Sequence, residues 1–183
     1  MVVKLKDLIQ VYDNVLDQNT CSCLIDIFES NLDKHERVEK NRTPNFTQFN
    51  FTQHVTANEQ IHNLIISKTL EYKKKYYEFI DERCFPRENA FEQFRIKKYN
   101  NDGNDAFDPH VDVVDHSSSR RFLSFLWYLN DIAEGGETVF SEVTIKPETG
   151  KLVVFPPLWM FPHKGNPPVS NEKYLLSTYL HYK

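Results

Sequence analysis

The chain has 183 residues, of which 40% are hydrophobic and 26% are charged, and its formal net charge is −4 at pH 7. This length suffices for one substantial hydrophobic core and is short for two, and the composition is typical of a globular protein. An acidic chain has no overall attraction for phosphate backbones or anionic membranes, so binding to nucleic acid or to a membrane surface is not expected.

Neither targeting nor disulfide signals stand out. The N-terminal stretch lacks the long apolar core of a signal peptide, and no apolar run is long enough to span a bilayer. Cys21, Cys23 and Cys84 do not form a disulfide framework, and they cannot complete a thiolate metal site. We therefore expect reduced, structural cysteines, no membrane association and a cytoplasmic location.

The first 89 residues carry mostly helical signals. Residues 19–32 place apolar side chains at helical spacing, and either Asn19 or Thr20 would serve as the N-cap. Residues 45–55 then alternate between apolar and polar side chains, which predicts a strand.

A second, longer helix is predicted for residues 56–80. It begins with a capping box formed by Thr56 and Glu59, and it carries one continuous apolar face. We expect this N-terminal part to buttress the rest of the fold. The long apolar helix faces would also serve a homodimer.

Short strands replace helices from about residue 90. Residues 91–99 alternate, and residues 120–130 are apolar on both faces, as in the core of a sandwich. Further strand-like runs follow at residues 135–140, 150–157 and 172–183. Regular short strands without a long helix between them indicate an antiparallel barrel or jelly roll.

We therefore predict a mainly β fold with the helices packed outside a jelly-roll core. The chain is expected to form one domain over residues 1–183. Within it, residues 1–89 would be the N-terminal support and residues 90–183 the β core.

The stretch FDPHVDVVDHSSS, residues 107–119, holds four side chains that can bind a metal. In an extended chain, side chains two apart share a face, so His110 and Asp112 point the same way. Asp115 and His116 lie nearer the polar loop and break this alternation. His110 and Asp112 are therefore the pair that we expect at a metal.

A third ligand would complete a 2-His-1-carboxylate site, which leaves positions on Fe(II) open for substrate and oxygen. His163 follows an apolar run and is well placed, whereas His181 ranks below it. The histidines of the helical part fit surface or capping roles better, namely His35, His54 and His62.

A dicarboxylate cosubstrate would need a buried cation, and no arginine occurs after Arg121. Lys173 opens the last strand-like run, on a largely apolar wall where a charge needs a counter-ion. Ser124 and Tyr128 share a face of another strand and could donate hydrogen bonds to the same carboxylate.

Several short motifs follow one another in a recognisable order and spacing: YNNDGNDAFDPHVD, RFLSFLWYLND, GGETVF, KPETGKLVVF and HKGNPPVSNEK. With them, residues 90–183 resemble the prolyl 4-hydroxylase-like Fe(II)/2-oxoglutarate dioxygenases. The resemblance implies a double-stranded β-helix with the active site at its open end. It also implies that His110, Asp112 and His163 bind iron, and that Lys173 pairs with the C5 carboxylate of 2-oxoglutarate.

The resemblance also implies roles around the cosubstrate. Tyr128 and Ser177 match hydroxyl donors near the C5 carboxylate, and Tyr99 matches a tyrosine near the metal-bound end. Two positions depart from the family pattern. Phe107 stands where a second tyrosine is frequent, and Tyr179 stands where tryptophan is usual.

The activity implied by the resemblance is hydroxylation of a C–H bond with Fe(II), 2-oxoglutarate and O2, with release of succinate and CO2. Ascorbate is an accessory that the resemblance also allows. The expected substrate is a prolyl residue in a peptide or protein, followed by a free amino acid, and not a nucleic acid. Arg95, Arg121 and Trp159 would either line a substrate groove or serve in packing and ion pairs.

Two other functions stay open at this point. A cupin-type metalloenzyme would use the same three ligands without 2-oxoglutarate. A non-catalytic jelly-roll module, for example one that binds carbohydrate, would use the HVD and GGET sequences only as loop residues.

Overall fold

The computed structural model describes residues 4–40, 44–54 and 59–183, and most of its regular structure is β. The α-helices are α1 (Gln18–Glu29), α2 (Phe51–His54) and α3 (Glu59–Ile80), and short 3-10 helices span Leu5–Leu8, Leu32–Lys34 and Glu82–Cys84. The strands are β1 (Gln10–Tyr12), β2 (Glu36–Glu39), β3 (Asn45–Asn50), β4 (Asn89–Phe91), β5 (Arg95–Tyr99), β6 (Phe107–His110), β7 (Arg121–Tyr128), β8 (Thr138–Phe140), β9 (Thr144–Ile145), β10 (Leu152–Phe155), β11 (His163–Gly165) and β12 (Lys173–Tyr182).

The strands form two antiparallel sheets. The larger sheet has the order β1-β10-β7-β12-β5-β3-β2, with β4 paired to the far end of β12, and the smaller sheet has the order β6-β11-β8-β9. Aromatic and aliphatic side chains from both sheets share one buried cluster, which includes Tyr128 and Leu175 from the larger sheet and Phe140 from the smaller one. This is the predicted jelly-roll core, a double-stranded β-helix.

The position of β7 between two packed layers explains why its sequence is apolar on both faces. Phe125 and Trp127 are fully buried in a second cluster, together with Leu24 from α1 and Ile65 from α3. The alternate side chain of Tyr128 faces the other way, into the cluster between the sheets. One face of the strand is therefore covered by helices and the other by the smaller sheet, so the N-terminal helices buttress the larger sheet from outside.

The predicted N-cap of α1 was wrong by a few residues. The helix begins at Gln18, and the capping side chain is Asp17, whose Oδ1 accepts a hydrogen bond from the Thr20 backbone N–H at 2.7 Å. Asn19 and Thr20 lie inside the first turn. A carboxylate at this position satisfies a free N–H and also faces the positive end of the helix dipole.

The strand predicted for residues 45–55 ends at Asn50, where α2 begins. The Asn50 side chain turns the chain, because its Oδ1 accepts a hydrogen bond from the Gln53 backbone N–H at 3.1 Å. Helix α2 then docks on the strand-like run at 91–99 and interrupts it. Thr52 donates its backbone N–H to the Phe94 carbonyl (3.3 Å), and its Oγ1 accepts the Phe94 N–H (2.8 Å).

The long helix α3 was correctly predicted in type and in its end at Ile80, whereas its predicted start lies outside the described residues. Of the predicted capping box, Thr56 lies outside the described residues, so that part stays a prediction. Among the helices of the described ranges, none has the length and hydrophobicity that a bilayer span requires.

If α1 buttresses the larger sheet, its buried side chains contribute to the free energy of unfolding. Leu24 is fully buried, whereas Leu32, just beyond the helix, is 66% exposed. We expect Leu24→Ala to lower the free energy of unfolding by about 2–5 kcal/mol because it leaves a cavity, and Leu32→Ala to change it by less than about 0.5 kcal/mol. Urea denaturation of both variants measures this. Equal effects would contradict a buttressing role for α1.

Candidate active site

Pairing of β6 with β11 brings together three side chains that the sequence singled out. The register places His163 directly opposite His110, and their ring centroids lie 4.3 Å apart. Asp112 follows β6 in a bend, with its Oδ1 3.6 Å from His110 Nε2 and its Oδ2 4.0 Å from His163 Nε2. One donor atom from each of the three residues lies within 4.8 Å of the other two.

Backbone carbonyls orient both imidazoles. His110 Nδ1 lies 2.8 Å from the Asp108 carbonyl oxygen, and His163 Nδ1 lies 3.1 Å from the Phe161 carbonyl oxygen. A carbonyl only accepts, so each Nδ1 donates its proton and each neutral Nε2 keeps a lone pair. Both lone pairs are on the Asp112 side, so the donor set fits a non-haem Fe(II) with open positions.

The electrostatics favour the protonation states that a metal needs. Burial alone would raise the pKa of Asp112, but the adjacent His110 and His163 side chains and the charge of Lys97 lower it below its ordinary value. Burial lowers the pKa of His163, although the Asp112 charge opposes this shift. The carboxylate is therefore ionised and the His163 imidazole neutral near pH 7.

Asp112 is held in place by Arg121 and Glu92. Arg121 Nη1 donates to the Asp112 carbonyl at 3.1 Å, and its Nε and Nη2 donate to the two carboxylate oxygens of Glu92 at 2.7 and 2.9 Å. The guanidinium also lies 4.1 Å from the centre of the Tyr179 ring. Of the two roles considered for Arg121, the ion pair is the one observed.

Burial and the Asp112 charge raise the pKa of the Tyr179 hydroxyl well above its ordinary value.

His110 and Asp112, which alternation along an extended chain had selected, do come together, but the chain is not extended between them. The strand ends at His110, so Asp112 does not continue an extended chain. Asp112 reaches the histidines because Arg121 fixes its carbonyl. Asp115 instead accepts hydrogen bonds from the Ser117 and Ser118 side chains within its own turn, and His116 is exposed outside the cluster.

A cleft between the two sheets leads inward from the three residues. It opens to solvent. Its walls come from β5, β7 and β12 on one side and from β6, β8 and β11 on the other. The lining side chains are Lys97, Tyr99, Phe107, His110, Asp112, Ser124, Leu126, Thr138, Phe155, His163, Lys173, Leu175, Ser177 and Tyr179, together with Gly165.

Lys173 lies in this cleft and is only 1% exposed. Its Nζ donates to the Gly136 carbonyl at 3.0 Å and lies 4.5 Å from the centre of the Tyr99 ring. Gly136 has a φ of +75°, a conformation that glycine adopts without strain and that belongs to the turn of the GGET motif. Burial lowers the pKa of Lys173 to about 7, although the charge of Glu137 opposes this shift.

Two of the three side chains that were expected to offer hydroxyl groups near Lys173 line the same cleft, and Tyr128 does not. Ser124 and Ser177 line it directly. The Tyr128 hydroxyl instead donates to Thr138 Oγ1 at 2.5 Å, and Thr138 is the residue that faces the cleft. Sequence reasoning missed Thr138, although it belongs to the GGETVF motif.

Lys97 is a second cation in the cleft, and its position was also missed. It lies on the same side of β5 as Tyr99, but a lysine in an alternating strand is more often exposed to solvent. Burial lowers the pKa of Lys97 to about 8, and the charge of Asp112 opposes this shift.

Other candidate residues lie outside the cleft. His181 pairs with Ala90 at the far end of β12. Arg95 donates to the Gln93 side chain at 3.0 Å. Trp159 is 77% exposed on the segment between β10 and β11. Phe107, where the family pattern often has a tyrosine, by contrast lines the cleft and stacks on the His110 ring with 3.4 Å between centroids.

Solved structures with the same fold include several prolyl hydroxylases. A viral collagen prolyl hydroxylase of Paramecium bursaria chlorella virus 1, in complex with 2-oxoglutarate, is 21% identical, with a TM-score of 0.73 over 96% of this chain and 97% of that one. A prolyl 4-hydroxylase of Pseudomonas putida is 14% identical, with a TM-score of 0.74 over 98% and 97%.

A third similar structure contains a bound peptide. It is a prolyl hydroxylase of Trichoplax adhaerens in complex with a hypoxia-inducible factor oxygen degradation domain peptide fragment. It is 15% identical, with a TM-score of 0.67 over 95% of this chain and 83% of that one. At these identities the likeness establishes the fold alone.

A search of curated protein sequences found no match. Residues 94–181, by contrast, match the sequence profile of the 2OG-Fe(II) oxygenase superfamily. The matched region contains His110, Asp112, His163 and Lys173, which the structure gathers around one cleft. Residues 94–181, and with them the whole site, are therefore similar in sequence to the 2OG-Fe(II) oxygenase superfamily, and the chain has the fold of the prolyl hydroxylases.

Proposed function

We propose that the protein hydroxylates a C–H bond of a prolyl residue in a peptide or protein. The observation that carries this proposal is the convergence, in one cleft, of a His–Asp–His cluster with a buried lysine. The fold of three prolyl hydroxylases, one with a bound peptide, supports the choice of proline and peptide.

His110, Asp112 and His163 would hold Fe(II) through two Nε2 atoms and a carboxylate oxygen. Fe(II), with 2-oxoglutarate and O2, would supply the oxidising chemistry that inserts one oxygen atom into the C–H bond and releases succinate and CO2. Arg121 keeps the Asp112 backbone fixed, and outer contacts of this kind typically matter about 10–100-fold for metal affinity or activity. Phe107 covers one face of the His110 ring.

Lys173 would pair with the C5 carboxylate of 2-oxoglutarate. Its ammonium is buried, and among the described residues a carbonyl is its only hydrogen-bond acceptor, so an anion can bind it without displacing a carboxylate. The hydroxyls of Thr138 and Ser177 lie on the walls of the same cleft and would donate to that carboxylate, with Tyr128 orienting Thr138. Tyr99 would lie along the cosubstrate, beneath the Lys173 ammonium.

Substrate would enter at the open end, beside the metal cluster. The segment after Asp112 and the segment before Trp159 are joined there by a hydrogen bond from the Val113 N–H to the Pro157 carbonyl at 3.2 Å. The exposed Trp159 ring is the large apolar side chain that we propose for contact with a peptide.

Three further expectations stay predictions: a single domain, a homodimer formed through the helices, and a cytoplasmic location. The location is supported by Cys21, Cys23 and Cys84, all of which are free thiols. Ascorbate as an accessory also stays a prediction.

Removing a metal ligand is the first test. We expect His110→Ala, Asp112→Ala and His163→Ala each to abolish 2-oxoglutarate turnover and stoichiometric binding of Fe(II) or Mn(II), because two donors do not hold the ion. Anaerobic metal titration and succinate release measure this. His116→Ala is the control, since that histidine is nearby but outside the cluster. Full turnover in a ligand variant would contradict the proposed site.

Removing the buried lysine tests the cosubstrate site. Lys173→Ala would leave a buried carboxylate unpaired, a cost of about 3–5 kcal/mol. We therefore expect the Kd of 2-oxoglutarate to rise at least about a hundredfold, while metal binding is retained. Calorimetry with the Mn(II)-loaded protein measures both. Lys164→Ala, next to His163 but outside the cleft lining, should leave both unchanged; equal 2-oxoglutarate affinities in the two variants would refute the role of Lys173.

The substrate class is tested by coupling 2-oxoglutarate consumption to product. We expect prolyl peptides to stimulate succinate release and to gain the mass of one oxygen, and the same peptides with alanine for proline to do neither. Product without dependence on 2-oxoglutarate would favour the cupin-type enzyme. A protein that binds no metal after anaerobic iron loading would support the non-catalytic module.

A further inference from the structure

Lys97 projects into the active-site cleft from the middle of β5. Its neighbour Ile96 is fully buried in the opposite, helix-facing cluster, so the lysine turns toward the smaller sheet. In the register of the larger sheet, Tyr99 lies opposite Lys173 and Lys97 lies opposite Leu175. Tyr179 lies at the Asp112 end of the cleft. Lys97 is therefore two residues nearer to that end, along the paired strands, than Tyr99 and Lys173 are.

The Lys97 ammonium lies on the His110 side of the cleft. Its Nζ is 5.2 Å from the centre of the Phe46 ring. Phe46 in turn packs on Phe107 with 6.3 Å between centroids, and Phe107 stacks on His110. Together with the register of β5 and β12, these contacts place the cation between the Lys173 end of the cleft and the metal cluster.

Among the described residues, no carboxylate forms a hydrogen bond or an ion pair with Lys97, and the nearby Asp112 acts on it only through its charge. Within the described ranges its only direct partner is the Phe46 ring, whereas the next residue, Lys98, has Nζ 3.0 Å from Glu29 and 2.9 Å from Glu172. Lys97 is only partly exposed, and an ammonium held in a cleft without a paired carboxylate is unfavourable to the extent that it loses contact with water. A ligand that brings a carboxylate into the cleft would remove this cost.

The sum of charges in the site with Fe(II) and 2-oxoglutarate bound indicates which ligand would bring this carboxylate. The charged side chains of the lining, apart from the histidines, are Asp112, Lys173 and Lys97. The charges of Fe(II) and Lys173 are matched by those of Asp112 and doubly charged 2-oxoglutarate. Arg121 is neutralised by Glu92. Lys97 is left as an unmatched positive charge after the cosubstrate has bound.

We propose that Lys97 binds a carboxylate of the substrate, close to the carbon that is hydroxylated. The substrate class is then an acid: a free amino or imino acid, a C-terminal residue, or a residue next to an acidic side chain, rather than a neutral proline-rich repeat. This inference rests on the proposed oxygenase function and narrows its substrate.

The test compares acids with their amides. Pairs such as proline and prolinamide, leucine and leucinamide, and short peptides with Glu or Gln beside the target are titrated by calorimetry into Mn(II)-loaded, 2-oxoglutarate-saturated protein, where no turnover occurs. For at least one pair we expect the acid to bind about tenfold or more tightly than the amide, the size of one charge-assisted contact.

Two variants assign that preference to Lys97. Lys97→Met, which keeps the length and removes the charge, should bring the acid-to-amide ratio near one, and Lys97→Arg should retain it. Affinity for 2-oxoglutarate should stay within about threefold in both, because other groups hold the cosubstrate. Lys98→Met is the control, since it removes the same charge from the adjacent residue outside the cleft.

Three results would overturn the inference: no acid favoured over its amide by the wild type, an unchanged preference in Lys97→Met, or a tenfold loss of 2-oxoglutarate affinity in Lys97→Met with the preference intact. The last result would assign Lys97 to the cosubstrate. A preference found only among non-prolyl acids would refute the proline assignment and leave the role of Lys97 standing, so the two proposals fail separately.

Discussion

The antiparallel pairing of β6 with β11 is the constraint on which the site depends. It sets His163 opposite His110, although the two are far apart in sequence, and the bend after β6 brings Asp112 to both. Each Nε2 is directed toward the carboxylate because the opposite ring nitrogen is held by a backbone carbonyl. A shift of one residue in this register would turn His163 to the other face of the sheet, away from His110 and Asp112.

The cleft behind this cluster is rich in cations and poor in anions. Two lysines project into it, and burial lowers the pKa of each, to about 7 for Lys173 and about 8 for Lys97. Two lysine ammonium groups without paired carboxylates lower the stability of the unliganded protein, and they favour the binding of carboxylate ligands. The outer face of the larger sheet is different, since helices cover it with apolar side chains and provide the rigidity that the cleft needs.

Much of the β half could be predicted because its patterns are local. The last strand places Lys173, Leu175, Ser177 and Tyr179 on one face, as its alternation indicates, and all four line the cleft. Failures occurred where a distant residue overrides the local pattern. The run at 91–99 is broken because Thr52 takes both backbone groups of Phe94, and Asp112 leaves the strand yet stays in the site because Arg121 holds its carbonyl.

By itself the sequence determined the fold class, the grouping of His110, Asp112 and His163, and the position of Lys173 on the apolar wall of the last strand, because strand periodicity and motif spacing are local properties of the chain. Only the tertiary structure decided which polar groups meet: Thr138 with Tyr128, and Arg121 with Glu92, whereas Lys97 forms no ion pair with a carboxylate of the described residues. The physical reason is that burial and charge pairing depend on which strands become neighbours. Alternation tells which side chains share a face, but only the register of the sheets tells what that face meets.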